Sequence, residues 1–89
     1  MAELLDERVL LEQAREGDSD AVDQLLTRYK DLVRSKASLM YMAGADSEDV
    51  IQEGMIGLYK AICAYQPEKQ VPFQAFASYC ILTQITDAV

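Results

Sequence analysis

The chain has 89 residues, 51% of them hydrophobic and 26% charged, with fifteen acids against eight bases for a net charge of −7. These values fit one small globular domain, argue against disorder, and lack the basic footprint of an autonomous duplex-DNA binder. An acidic surface suits a basic protein partner, or simply solubility.

The charge is unevenly spread. Residues 1–27 carry eight acids and two bases, whereas residues 28–43 carry one acid and four bases (Arg28, Lys30, Arg34, Lys36). Residues 44–59 hold four acids and no base, and residues 60–89 hold two of each. There are two cysteines, Cys63 and Cys80, and no histidine. Neither cysteine belongs to a CxxC pair, so no zinc site is expected. Both fall at plausible core positions, where a thiol acts as a small hydrophobe. A disulfide between them stays open, without the pattern of a secreted staple framework. The acidic start has no apolar signal region, and no apolar run approaches the ~20 residues that span a bilayer. A cytoplasmic location with no membrane partner is the expectation.

Residues 3–16 predict a first helix, with Leu4, Leu5, Val9, Leu10 and Ala14 as its stripe and Glu3, Asp6 and Glu7 favouring its start. Gly17 fits the residue after a helix end, and Asp18 or Ser19 fits the next N-cap. Residues 20–43 have the best helical period in the chain: Val22, Leu25, Leu26, Tyr29, Leu32, Val33, Ala37 and Met40 recur at three and four. The stripe reads as core. The bases beside it read as a solvated face, or more sharply as a contact to an acidic partner or phosphate. Gly44 then ends the pattern, and Asp46 or Ser47 caps a third helix over 47–64.

That third helix carries Asp49-Val50-Ile51-Gln52-Glu53-Gly54-Met55-Ile56-Gly57-Leu58-Tyr59-Lys60. Each glycine inside a helix costs about 1 kcal/mol against alanine, so both need compensation. Close approach of another helix on the inner side would supply it. Val50, Ile51, Leu58 and Ile62 point inward. Asp49, Gln52, Glu53 and Ile56 share a flank, with Met55 and Tyr59 at its edge. Acids, an amide and apolar groups together suit a docking face.

Residues 65–72 form a loop holding Pro67 and Pro72, and Pro72 suits the first turn of a fourth helix. Phe73, Phe76, Ala77, Cys80, Ile81 and Ile85 make that helix's stripe. It reaches Val89 without a stop signal, so the chain is expected to be a single domain, 1–89, truncated at its C-terminus. The fold class is all-α: a compact bundle of about four helices.

Catalysis is not expected. There is no histidine to act as base, and the carboxylates sit at helix starts and surfaces. Glu48, Asp49 and Glu53 could approach a metal from one helix, but no second ligand helix matches them. Neither metal nor other cofactor is therefore expected. Phe73, Phe76 and Tyr79, with Tyr65 upstream, form an aromatic cluster. Its bland reading is a core edge, preferred for Phe73. Its sharper reading is a stacking platform for extruded bases, with Lys60 and Lys69 the local bases available for phosphates.

The segment Asp49 to Leu58 resembles the D-L-I-Q-E-G-x-I-G-L signature of region 2 of bacterial sigma-70-family transcription initiation factors. The similarity continues through Lys60-Ala61-Ile62, Pro67-Glu68-Lys69 and Phe73-Gln74-Ala75-Phe76-Ala77. Upstream, Glu16-Gly17-Asp18 and the connection from Ala43 to Glu48 also fit. The resemblance runs from about residue 8 to the end and is nearest the sporulation and stationary-phase sigma-H type. It implies a region 2 fold whose third helix docks on the clamp coiled coil of the RNA polymerase β′ subunit. Asp49, Gln52, Glu53, Met55 and Tyr59 match its contact positions, and Ile56 lies on the same flank. The loop and fourth helix would face the non-template strand of the promoter −10 element. There Phe76 and Tyr79 match base-capturing positions, and Thr83 and Thr86 match readers of its upstream edge.

Three residues depart from or vary within that pattern. Thr83 is usually arginine in the sigma-H type, and Gln70 stands where glycine is usual. Cys80 replaces the large aromatic of housekeeping factors, though cysteine is common in the sigma-H type. The family's basic segment and −35-binding domain have no counterpart within residues 1–89. With no net charge in residues 60–89, counterion release adds little, so strand binding by this fragment alone is expected to be weak or absent. A sigma-like adaptor or decoy, or a plain helical interaction module, remain the alternatives. An anti-sigma protein is a further partner that the resemblance leaves open.

Overall fold

The computed structural model describes residues 7–39 and 47–88, and its regular elements there are helical. They are α1 (Glu7–Arg15), α2 (Ser19–Arg28), α3 (Lys30–Ser38), α4 (Ser47–Ala64), a 3-10 turn (Pro67–Lys69) and α5 (Phe73–Ala88). The all-α class holds. The expected apolar roles of Leu4, Leu5 and Met40, and the caps expected at Gly44 and Asp46, lie outside the described residues.

The first break follows from its residues. Gly17 takes φ +98°, the left-handed region open to a residue without Cβ. Its N–H bonds to Ala14 O, and the Asp18 N–H bonds to Gln13 O at 3.0 Å, the paired bonds of a Schellman end. The Asp18 carboxylate then accepts from the N–H groups of Asp20 and Ala21, capping α2 as expected.

The single helix expected over 20–43 is instead two, hinged at Tyr29 (φ −104°, ψ 11°). The ladder bends rather than breaks: the Tyr29 N–H reaches Leu25 O, and the Val33 N–H reaches Tyr29 O, each at 3.1 Å. The cause is tertiary. The Tyr29 ring meets Phe73 of α5 edge-on, with centroids 5.3 Å apart, and its hydroxyl donates to the Glu7 carboxylate of α1. Periodicity runs through such a bend undisturbed, so the sequence does not show it.

Leu10, Leu25, Val33, Leu58, Ile62, Ile81 and Ile85 form the centre of the core. Two expected positions differ. Val9 is 40% exposed and Leu11 is buried in its stead, because α1 presents Leu10, Leu11 and Ala14 to the other helices. Cys63 is exposed rather than in the core, since it falls on the outer side of α4, while Cys80 is partly buried; both are free thiols.

The glycines of α4 are buried against α5, which runs back along it. A Cβ on Gly57 would lie 2.7 Å from the Cys80 carbonyl oxygen and 2.9 Å from Ile81 Cα, both backbone atoms. A Cβ on Gly54 would lie 2.7 Å from Val33 Cγ1 and 3.4 Å from Ile85 Cδ1. The close approach anticipated for them is therefore present.

Gly57→Ala forces α5 outward, so urea denaturation should show a loss of about 1–3 kcal/mol despite alanine's better helix propensity. An unchanged or higher stability would contradict the steric account. Burial, then the Glu7 hydrogen bond and charge, push the Tyr29 hydroxyl well above its ordinary value. The unfolded chain therefore loses this proton first, near pH 10. Stability should hold below about pH 10 and fall as pH rises past it. Tyr29→Phe should remove that part of the alkaline fall while costing about 1 kcal/mol at neutral pH. A denaturation series against pH reads both.

Candidate functional site

With its glycine side sealed, α4 turns a single stripe outward. Asp49, Gln52, Ile56 and Tyr59 fall at i, i+3, i+7 and i+10 and are all exposed. Ile56 is 43% and Tyr59 51% exposed, large side chains that face solvent. A hydrogen bond with the Cys63 thiol one turn on, then that thiol's charge, raise Tyr59 above its ordinary value. The other two α4 residues matched to docking do not share this stripe fully. Met55 is partly buried against the core. Glu53 is partly buried and accepts a bond from Gln84 Nε2 at 3.0 Å, so it turns toward α5.

The matched residues on α5 also fall on one line. Phe76, Tyr79, Thr83 and Thr86 stand at i, i+3, i+7 and i+10. Tyr79 is 68% exposed and Thr83 and Thr86 are exposed, while Phe76 is half-buried. The start of α5 is fixed by Pro72, whose carbonyl accepts the Phe76 N–H at 3.1 Å, one residue before the first turn expected for it. Phe73 is buried, as a core edge should be, with Tyr65 edge-on to it at 5.2 Å. Tyr65 also lies tilted against Phe76 at 5.8 Å.

Loop 65–72 and α5 enclose an open recess of about 250 Å³. Ala64, Tyr65, Gln66, Lys69, Val71 and Phe76 line it. It has aromatic and aliphatic walls and one ammonium at its rim. The Tyr65 hydroxyl donates to the Val71 carbonyl at 2.5 Å, tying the loop's two ends together. Gln70 in this loop takes φ +61°, a conformation that suits glycine and strains a residue bearing a Cβ. Lys60 lies apart from the recess, with its ammonium donating to Gln84 Oε1 at 2.8 Å. Gln84 carries no signal of its own in the sequence, because its partners Lys60 and Glu53 are 24 and 31 residues away along the chain. Among the described residues no group of three or more His, Cys, Asp or Glu could hold a metal ion. No described helix is long and apolar enough to cross a membrane.

The family model for sigma-70 region 2 matches residues 25–89. The chain belongs to the sigma-70 family. Within it, the region 2 chain is similar to RNA polymerase sigma-H factor of Bacillus subtilis (strain 168), at 49% identity over 96% of this chain and 39% of the relative. The sigma-H factor of Bacillus licheniformis is likewise 49% identical, over 96% of this chain and 38% of its own. The sigma-28 factor of Bacillus thuringiensis subsp. kurstaki is 36% identical over 90% of this chain and 34% of its own. This sigma-family chain thus stands near the sigma-H type and spans about two-fifths of the length of the sigma-H relatives.

In this region 2 chain, the strain at Gln70 gives a direct prediction. Gln70→Gly should raise the unfolding free energy by up to about 1 kcal/mol, since relief of the left-handed strain exceeds glycine's added unfolded-state entropy. A thermal melt in which the variant is less stable would contradict the assigned loop conformation.

Proposed function

We propose that residues 1–89 are the polymerase-docking and −10-recognising part of a transcription initiation factor of the sigma-H type. The observation that carries this reading is the α4 stripe: Ile56 and Tyr59 left in solvent one and two turns beyond Gln52, in line with Asp49, on the helix that bears the family signature. Large apolar groups framed by polar ones are the anatomy of a protein-binding face. Its occupant in this reading is the clamp coiled coil of the polymerase β′ subunit. Asp49 and Gln52 would meet the coiled coil's polar groups, with Ile56 and Tyr59 filling its apolar hollow. Glu53 and Met55 would flank that contact.

The second half of the function belongs to loop 65–72 and α5. The recess beside Tyr65 and Phe76 has the walls to take one unstacked base, with Lys69 at its rim for the adjoining phosphate. Tyr79 offers a free ring for stacking. Thr83 and Thr86 would continue the same line toward the upstream edge of the −10 element, and Lys60, bonded to Gln84, would meet the strand from the α4 side. The factor performs no bond chemistry of its own in this reading; it holds the non-template strand open for the polymerase. Such work places it in the cytoplasm with the polymerase. The single domain 1–89 supplies only part of the contacts of a whole factor.

The neutral charge of residues 60–89 favours one second reading, an adaptor that binds polymerase without strand contact. Binding to core polymerase and to a fluorescent −10 non-template oligonucleotide separates the readings. Gln52→Ala and Tyr59→Ala should each weaken polymerase binding about tenfold or more, with Asp23→Asn on the outer face of α2 as a control that changes nothing. Equal binding by all three variants would sink the docking assignment. In the polymerase complex, Tyr79→Ala should weaken oligonucleotide binding about tenfold. A complex indifferent to the oligonucleotide would favour the adaptor.

A further inference from the structure

Gln84 stands on α5 across the seam from Gly57, where an added Cβ would come within 2.9 Å of its own. From there its amide reaches both ways along α4. Its Nε2 donates to Glu53 Oε1 at 3.0 Å, and its Oε1 accepts from Lys60 Nζ at 2.8 Å. Glu53 and Lys60 are two helical turns apart, about 10 Å of rise, beyond the one-turn spacing at which side chains pair directly. The amide bridges that gap. A carboxylate only accepts and an ammonium only donates, so the two partners fix which end of the amide faces which. Glutamate at this position would repel Glu53, a lysine would repel Lys60, and methionine would serve neither.

We propose that Gln84 is a positioning residue, which holds the Lys60 ammonium in the orientation where it meets a strand phosphate. This rests on the strand-binding reading of Lys60. A lysine in water samples many rotamers and loses that freedom when it engages a ligand. Lys60 has already lost much of it through a charge-assisted bond. An ammonium has three donors, and Gln84 uses one, leaving two for phosphate oxygens. The Glu53 bond holds the amide from its other end, so the lysine is set against a fixed acceptor rather than a free one.

The test uses the full chain with Gln84→Met, Gln84→Glu, Lys60→Met and the Gln84→Met/Lys60→Met pair. Nitrogen-15 spectra of the lysine ammonium groups should show a protected Lys60 signal. Gln84→Met should move it to the free-lysine position, and Gln84→Glu, which keeps an acceptor for Lys60, should retain it. Bound to core polymerase, Gln84→Met should hold the −10 oligonucleotide about three- to tenfold more weakly, the scale of one side chain that must be ordered on binding. Lys60→Met should in addition lower the salt slope by about 0.7, one phosphate contact on a single strand. The double variant should bind no more weakly than Lys60→Met alone. A Lys60 signal unmoved by Gln84→Met overturns the proposal, as do effects that add in the double variant. A wild-type complex that binds the strand and ignores Gln84→Met overturns the positioning role alone. A wild-type complex that does not bind the strand overturns the strand-binding reading and the positioning role with it.

Discussion

Gly57 lies under the backbone of α5, with the Cys80 carbonyl and Ile81 Cα where its own Cβ would be. Much else follows from that contact. It brings two helices together along their backbones, with Gly54 repeating the fit one turn earlier against Val33, Ile81 and Ile85. The seam consumes one side of α4, so the opposite side must face solvent. It also sets the rotation of α5, and so decides which of its residues are buried (Ala77, Ile81, Ile85) and which line up outside. The propensity lost at two helical glycines, about 1 kcal/mol each, is offset by the burial that their absence of side chains permits.

Two outward faces of different chemistry result. The α4 face mixes an acid, an amide, an aliphatic and a phenol, and contains no cation among Asp49, Gln52, Ile56 and Tyr59. The α5 face is aromatic and hydroxylic, with a recess at one end that presents Lys69. In the proposed reading one takes a helical protein partner and the other takes bases and phosphates. Glu53, Gln84 and Lys60 lie at the junction, bonded across the seam. Tyr29 plays the matching structural part at the other end of the bundle, holding α1 through Glu7 and α5 through Phe73.

How much of this was legible depends on range. Features set by neighbours in the chain were readable: the Gly17–Asp18 break, the α4 boundaries, the buried stripe of α5 and the outward position of Asp49, Gln52 and Ile56. The family signature added the roles matched to that flank. Features set by distant partners were not. Tyr29 sits in an unbroken apolar period, and only Phe73 and Glu7 reveal the hinge there. Gln84 reads as one polar residue among others, because its partners are 24 and 31 residues away in sequence. Cys63 was misplaced since hydrophobicity alone does not say which side of a helix lies outward. Gln70 was visible as a departure from the family's glycine, and the left-handed φ supplies the physical reason that glycine is usual there.

The central claim is that one helix pair carries two separate binding faces, one for the polymerase clamp and one for the −10 strand. Amide chemical-shift mapping of the nitrogen-15-labelled chain tests it most directly, first with the isolated β′ clamp coiled coil and then with the −10 non-template oligonucleotide added. The account predicts that the coiled coil perturbs residues along Asp49, Gln52, Ile56 and Tyr59. The oligonucleotide should then perturb loop 65–72 and the line from Phe76 to Thr86. Perturbation of α5 by the coiled coil with no change at the α4 stripe would contradict it.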